Sequence, residues 1–218
     1  MNSRPLDAER LRVAFRMIAT DMKAKSEELR ELDAACGDGD LGITVTKGFT
    51  AIEETLAGLE GESPSRLLQS LGITFNNAAA STFGVFFATA FMHAGNSIAG
   101  ADEITVEGFC AMLKAAAEGI ATRGRAKVGD KTILDALAPA HEAAQEVVER
   151  QGTWSEVLSA AATAAREGAE KTRGLVAKHG RARWFGDQAK ASQDAGATFV
   201  SFFLEACSHA AQELAKGE

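Results

Sequence analysis

The sequence predicts an all-α protein of about eight helices packed antiparallel to their neighbours. Three observations lead there. Apolar residues recur at helical spacing along most of the 218 residues, the connections between the stripes are short, and the composition, with only 3 Pro and no Tyr, favours helices over sheets. Alanine is abundant, and it loses no side-chain entropy in a helix.

The elements follow in order. Leu11, Phe15, Ile18 and Met22 form the first stripe, and Val45, Phe49, Ile52, Leu56 and Leu59 the second. Residues 65–79 and 82–98 read as the third and fourth helices. The fourth, with Phe83, Val85, Phe86, Phe87, Phe91 and Met92, is apolar nearly all round and is therefore central. Val106, Phe109, Leu113, Ala116 and Ile120 mark the fifth, and Ile133, Leu137, Ala140, Ala144 and Val147 the sixth. Residues 153–176 make the seventh, and Phe199, Phe203, Ala206 and Ala210 the eighth. No alternating β-branched run bounded by turn signals predicts a strand. Glycines punctuate residues 37–42, 95–100, 124–129 and 180–196, the last being the longest irregular stretch and a candidate lid. No linker divides the chain, so residues 1–218 are expected to form one domain.

Hydrophobic residues are 46% and charged residues 24%, ordinary values for a globular protein. The net charge of -7 argues against nucleic acid, because an acidic surface repels a phosphate backbone. No window is apolar enough for a membrane span, and Met1–Arg10 lacks the apolar core of a signal peptide. Cys36, Cys110 and Cys207 show no CxxC spacing. Three cysteines make no disulfide framework, so a reducing cytoplasm is expected.

Chemistry concentrates in Leu32-Asp33-Ala34-Ala35-Cys36-Gly37-Asp38-Gly39-Asp40-Leu41-Gly42. Two like charges 4 Å apart repel by roughly 4 kcal/mol at an effective dielectric near 20, so a fold that gathers these carboxylates wants a cation among them. Oxygen ligands without histidine suit a hard ion, Mg²⁺ or Ca²⁺. An EF-hand is excluded, since the twelfth position counted from Asp33 or Asp38 is Thr44 or Phe49 instead of Glu. The glycines and the helix starting near Gly42 suit a phosphate. A solvated acidic turn explains the spacing equally well.

Further along, Asp130 is placed to cap the sixth helix, with Lys131 beside it free to meet a phosphate. Ser81 reads first as a helix cap. His179 to Gly186 combines Arg181 and Arg183 with Trp184 and Phe185, a set suited to gripping phosphate and stacking on a base, or simply to a charged loop with one anchor. The four histidines form no catalytic pairing.

Taken in order, these segments resemble the nucleotide-binding L subunit, or C-terminal domain, of dihydroxyacetone kinases. The match runs through Leu32-Asp33, residues 37–42, Ala80-Ser81, Arg123-Gly124, residues 129–139, Gly180-Arg181-Ala182, Gly186 and residues 193–197. The resemblance implies an up-and-down barrel of eight amphipathic helices. It implies two Mg²⁺ on Asp33, Asp38 and Asp40, and ADP or ATP along Leu41, Gly42, Ile43 and Thr44. Ala80, Ser81, Gly124, Ile133, Arg181, Asp194, Ala195 and Gly196 would surround the rest of the nucleotide, with Arg181 the candidate catalytic residue.

A separate ketose-binding K subunit is implied as partner, so the chain is expected to be inactive alone. The phosphoryl source, ATP or a phosphotransferase-system protein, stays open, as does a homodimer. Three positions depart from the family pattern. Leu41 stands for His or Thr, Ala195 for the Pro of an Asp-Pro-Gly turn, and Trp184-Phe185 for Tyr-Leu. A nucleotide-sensing partner without transfer chemistry is the rival reading. A fatty-acid kinase is a weaker one, since that family fuses this domain to a lipid-binding one.

Overall fold

The computed structural model describes residues 6–216. The first five residues of the polar stretch Met1–Arg10, and both ends of the expected 1–218 domain, lie outside that range.

The all-α expectation holds. Nine α-helices are formed among the described residues: α1 (Ala8–Ala24), α2 (Ser26–Cys36), α3 (Leu41–Leu56), α4 (Pro64–Ala78), α5 (Thr82–Ser97), α6 (Val106–Gly124), α7 (Leu134–Glu149), α8 (Trp154–Lys171) and α9 (Ala195–Lys216). Eight of them close a ring in the order α1, α3, α4, α5, α6, α7, α8, α9 and back to α1, each packed on its two neighbours. Helix α2 is the ninth. It lies against α3 and α9, because the stretch preceding Gly37 turns at Lys25 instead of continuing as one helix. Connections of at most nine residues join α3 through α8 in turn, whereas α1 reaches α3 through α2 and α8 reaches α9 through a long excursion; neighbouring ring helices alternate in direction.

Local chemistry sets the helix starts. Asp7, Ser63, Ser81 and Thr105 each accept a hydrogen bond from the backbone N–H three residues on, and Thr153 with Glu156 forms a reciprocal capping box. Two strands, β1 (Leu6–Asp7) and β2 (Glu103–Ile104), were not foreseen. They pair antiparallel, and at two residues each they are too short to show an alternating pattern.

The inward faces make one continuous core. At its centre Phe87 stacks on Phe75 and Phe91 at 4.0 and 4.2 Å between centroids, and Phe83 meets Phe199 edge-on at 4.6 Å. The ring is not filled solid. It encloses an apolar cavity of about 480 Å³, bordered by Phe15, Phe87, Leu113, Leu137, Leu158 and Leu204. No helix among the described residues is long and apolar enough to cross a membrane.

Candidate functional site

The turn between α2 and α3 carries the acidic cluster. Asp33 comes from the last turn of α2, Asp38 and Asp40 from the turn itself, and one carboxylate oxygen from each lies within 4.8 Å of the others. Glycine makes this approach possible. A Cβ on Gly37 would collide with Asp33 Oδ1, and Gly39 sits at φ 71°, in the left-handed region. The Leu41 N–H donates to Asp33 Oδ2 at 3.2 Å and fixes that carboxylate.

Burial and the neighbouring Asp38 and Asp33 charges push the Asp40 carboxyl upward, while Arg181 opposes them. Arg181 Nη1 donates to Asp38 Oδ1 at 2.8 Å and lies 3.9 Å from Asp40 Oδ2. One guanidinium against three carboxylates leaves the cluster anionic. Its all-oxygen donor set, without histidine, fits a hard divalent cation.

Arg181 reaches the cluster from a long excursion between α8 and α9. The expected seventh helix ends at Lys171, short of residue 176, and the chain continues irregularly into 3-10 turns over Arg181–Ala191, kinked at Gly186 (φ 53°). A small second core of Cys36, Ala177 and Ala189, flanked by Ala182 and Phe185, seats this segment against the end of α2. Phe185 therefore points inward, while Trp184 is 72% exposed beside Arg183.

Other residues named from the sequence lie at the same end of the ring. Gly196 packs on the Ile133 side chain, which joins the starts of α9 and α7. Gly124, the last residue of α6, packs on Phe86 of α5. Ser81 caps α5 and is thereby already engaged, with Ala80 exposed before it. Leu41 and Thr44 turn into the core and Gly42 packs under Ser26 and Arg30, so this turn offers a ligand its backbone and the exposed Ile43. Asp194 accepts the Ala197 N–H at 2.8 Å, and Thr198 N–H bonds to its carbonyl, so it caps α9. Desolvation pushes its carboxyl up to about 6, despite the nearby Lys131 charge.

The segment before α7 departs from expectation. Asp130 does not cap that helix. No side chain caps it; Asp135, in its first turn, instead ties down the preceding loop by accepting the N–H groups of Gly129 and Thr132 at 2.6 and 2.7 Å. Asp130 is buried and accepts from Lys178 Nζ at 2.7 Å and from the Lys127 N–H, with His179 Nε2 at 3.3 Å. The Lys178 bond, with the Lys127 N–H and His179, holds its carboxyl down at about 2. Lys131, taken above as free to meet a phosphate, is buried with its ammonium on two backbone carbonyls. Lys178 and Thr172 were missed entirely, and His179, named only as the start of a loop, was given no partner; their partners lie tens of residues away and leave no local pattern.

Residues 35–209 match the family model described as the DAK2 domain. The chain is 31% identical over 189 residues to the PEP-dependent dihydroxyacetone kinase, ADP-binding subunit DhaL, of Escherichia coli (strain K12), covering 87% of this chain and 90% of that protein. It is 32% identical to the D-erythrulose kinase of Mycolicibacterium smegmatis, covering 86% of this chain but only 33% of that enzyme. The crystal structure of the dihydroxyacetone kinase from C. freundii in complex with AMP-PNP and Mg²⁺ superposes with a TM-score of 0.68 at 24% identity, over 99% of this chain and 35% of that one. At that identity the likeness speaks for the fold.

Proposed function

Starting from the fact that this chain belongs to the DAK2-domain family, we propose that it is the ADP/ATP-binding, phosphoryl-transferring subunit of a dihydroxyacetone or related short-ketose kinase. On this reading residues 1–218 act as one nucleotide-binding domain, and the ketose is held by a separate K-type subunit. One observation carries the reading. Three carboxylates converge within 4.8 Å at the end of the ring, and Arg181 reaches them from 143 residues further along the chain.

Asp33, Asp38 and Asp40 would hold two Mg²⁺, which when bound neutralise the charge on the nucleotide phosphates. The chain's own residues do the rest. Along Leu41, Gly42, Ile43 and Thr44, at the N-terminus of α3, the Gly42 and Ile43 N–H groups and the positive end of the helix dipole face the phosphates, while the Leu41 and Thr44 N–H groups stay bonded to Asp33 and the Asp40 carbonyl. Ala80, Ser81, Gly124, Ile133 and the Asp194-Ala195-Gly196 turn border the remainder of the nucleotide. Arg181 adds a cation where negative charge builds up during transfer. The three unpaired cysteines support a reducing, cytoplasmic setting.

Calorimetric titration of ADP and ATP, with and without Mg²⁺, tests the site on the wild type and on the double variant Asp38→Ala, Asp40→Ala. Binding that requires Mg²⁺ and disappears in the variant is expected. Metal-independent binding, or none, would reduce the cluster to an acidic turn. Turnover assays with a K-type partner then separate the phosphoryl sources. Activity with ATP alone assigns nucleotide exchange, and a requirement for a phosphotransferase-system protein assigns ADP as a bound coenzyme.

A further inference from the structure

The excursion that delivers Arg181 begins at Thr172 and ends at Ser192, and its two ends meet. Gly174 N–H donates to the Lys190 carbonyl at 2.9 Å, Arg173 Nη1 to the Ala191 carbonyl at 3.1 Å, and Asp194 N–H to Thr172 Oγ1 at 2.8 Å. Inside this neck lies the ammonium of Lys131, which donates to the Thr172 carbonyl at 2.7 Å and to the Ser192 carbonyl at 2.6 Å. Lys131 is 2% exposed and holds φ 60°, a left-handed conformation unfavourable for a lysine. A long cationic side chain buried from a strained backbone needs a compensating role. The two carbonyls it joins bracket the whole excursion. The adjacent Asp130 grips the same segment further out, through Lys178 and His179, two to three residues before Arg181.

We infer that Lys131 is a positioning residue: its buried ammonium staples the neck of the 172–192 excursion and so sets both Arg181 over Asp38 and Asp40 and the Asp194-Ala195-Gly196 turn at the start of α9. The consequence for nucleotide binding rests on the site proposed above, whereas the stapling itself does not. The Lys131 ammonium is committed to the Thr172 and Ser192 carbonyls. It acts through Arg181, because the excursion is anchored at its neck by Lys131, midway by Asp130 and at its tip by the aspartate cluster.

Hydrogen–deuterium exchange on the ligand-free full chain tests the staple without reference to nucleotide. In Lys131→Met, amides of residues 173–192 are expected to exchange roughly tenfold faster or more, the loss expected from a charge-assisted hydrogen bond, with the ring helices unchanged. Mg²⁺–ADP affinity in Lys131→Met should fall by a similar factor. Adding Arg181→Ala to that variant should then cost little more, although Arg181→Ala alone weakens binding in the wild type. Lys131→Arg, which keeps the charge, should restore part of the protection.

Unchanged exchange over 173–192 in Lys131→Met would overturn the inference, as would affinity losses for Lys131 and Arg181 that simply multiply. Should Lys131→Met fail to fold, Lys131→Gln, which removes the charge and sets an amide nitrogen on a shorter stem, is read the same way, and full protection in that variant overturns the inference. Wild type that binds no nucleotide would sink the proposed function while leaving the exchange result to decide the staple.

Discussion

At the scale of single residues, charge spacing and steric room decide the site. Gly37 is the sharpest case, since any Cβ there meets the Asp33 carboxylate that must turn toward Asp38 and Asp40. Gly37→Ala is expected to weaken Mg²⁺-dependent ADP binding by roughly tenfold or more while lowering the thermal midpoint by only a few degrees. Undiminished affinity in calorimetry would show that Asp33 is not a ligand. Asp194 makes a different test. Its folded-state carboxyl lies at about 6 against an ordinary 3.8, so the folded state binds the extra proton. Stability from this group is present below about 4 and declines as pH rises through 6. The facing Lys131 offsets part of the loss and the nearby Asp135 adds to it. Asp194→Asn should flatten that decline in denaturant midpoints taken at pH 4.5 and 7, and an unchanged slope would assign the burial elsewhere. Asp130 has the opposite sign. Held at about 2 by Lys178, it contributes stability above the ordinary carboxylate range that is lost as pH falls toward 2. The aspartate cluster was legible because three like charges within eight residues are themselves a signal. Lys131 and Asp130 were not, because a lysine that binds main-chain carbonyls and an aspartate paired 48 residues away leave no pattern in the chain.

At the scale of helices, 3.6-residue stripes identified five ring members and composition between breakers the other three, among them the apolar α5, which contributes Phe87 at the centre of the aromatic cluster. The division of α1 from α2 had no such mark. It falls at Lys25, without Gly or Pro, and its reason is tertiary: the Lys25 ammonium rests 4.5 Å from the Phe202 ring centroid on α9 while α2 turns along α3. Close helix contact was equally hidden. Gly168 lets α8 approach α7 until a Cβ would run into the Asp135 carbonyl and crowd the Pro139 ring. Gly168→Ala should therefore cost about 1–3 kcal/mol in urea unfolding, as overpacking does, although alanine is the better helix former. A stabilised variant would mean that intrinsic propensity outweighs the contact.

At the scale of the whole molecule, alternation of helix direction places the α2–α3, α6–α7 and α8–α9 connections at one end, where they touch through Arg181, Lys131 and Gly196. Short loops foretold antiparallel neighbours, whereas the closure of α9 on α1 followed only from the family resemblance to a barrel, because residues at the two ends of the chain leave no shared pattern. Two kinds of interaction span that seam. His209 Nδ1 lies 2.7 Å from Asp21 at the surface, and Phe15 reaches inward to Phe91 and Phe203 across the ring. Their magnitudes differ. An exposed pair contributes about 0–1 kcal/mol, because water screens it and two side chains must be ordered to make it. Removing a buried phenylalanine costs about 3–5 kcal/mol, and here the existing cavity beside Phe15 would widen. His209→Ala should thus leave urea unfolding nearly unchanged, while Phe15→Ala lowers the midpoint strongly. Far-ultraviolet dichroism and the fluorescence of Trp154 and Trp184 should still report one coincident transition, since every ring helix depends on two neighbours. If His209→Ala proves the more damaging, or if the probes separate in Phe15→Ala, closure rests on the surface pair and the ring unfolds in parts.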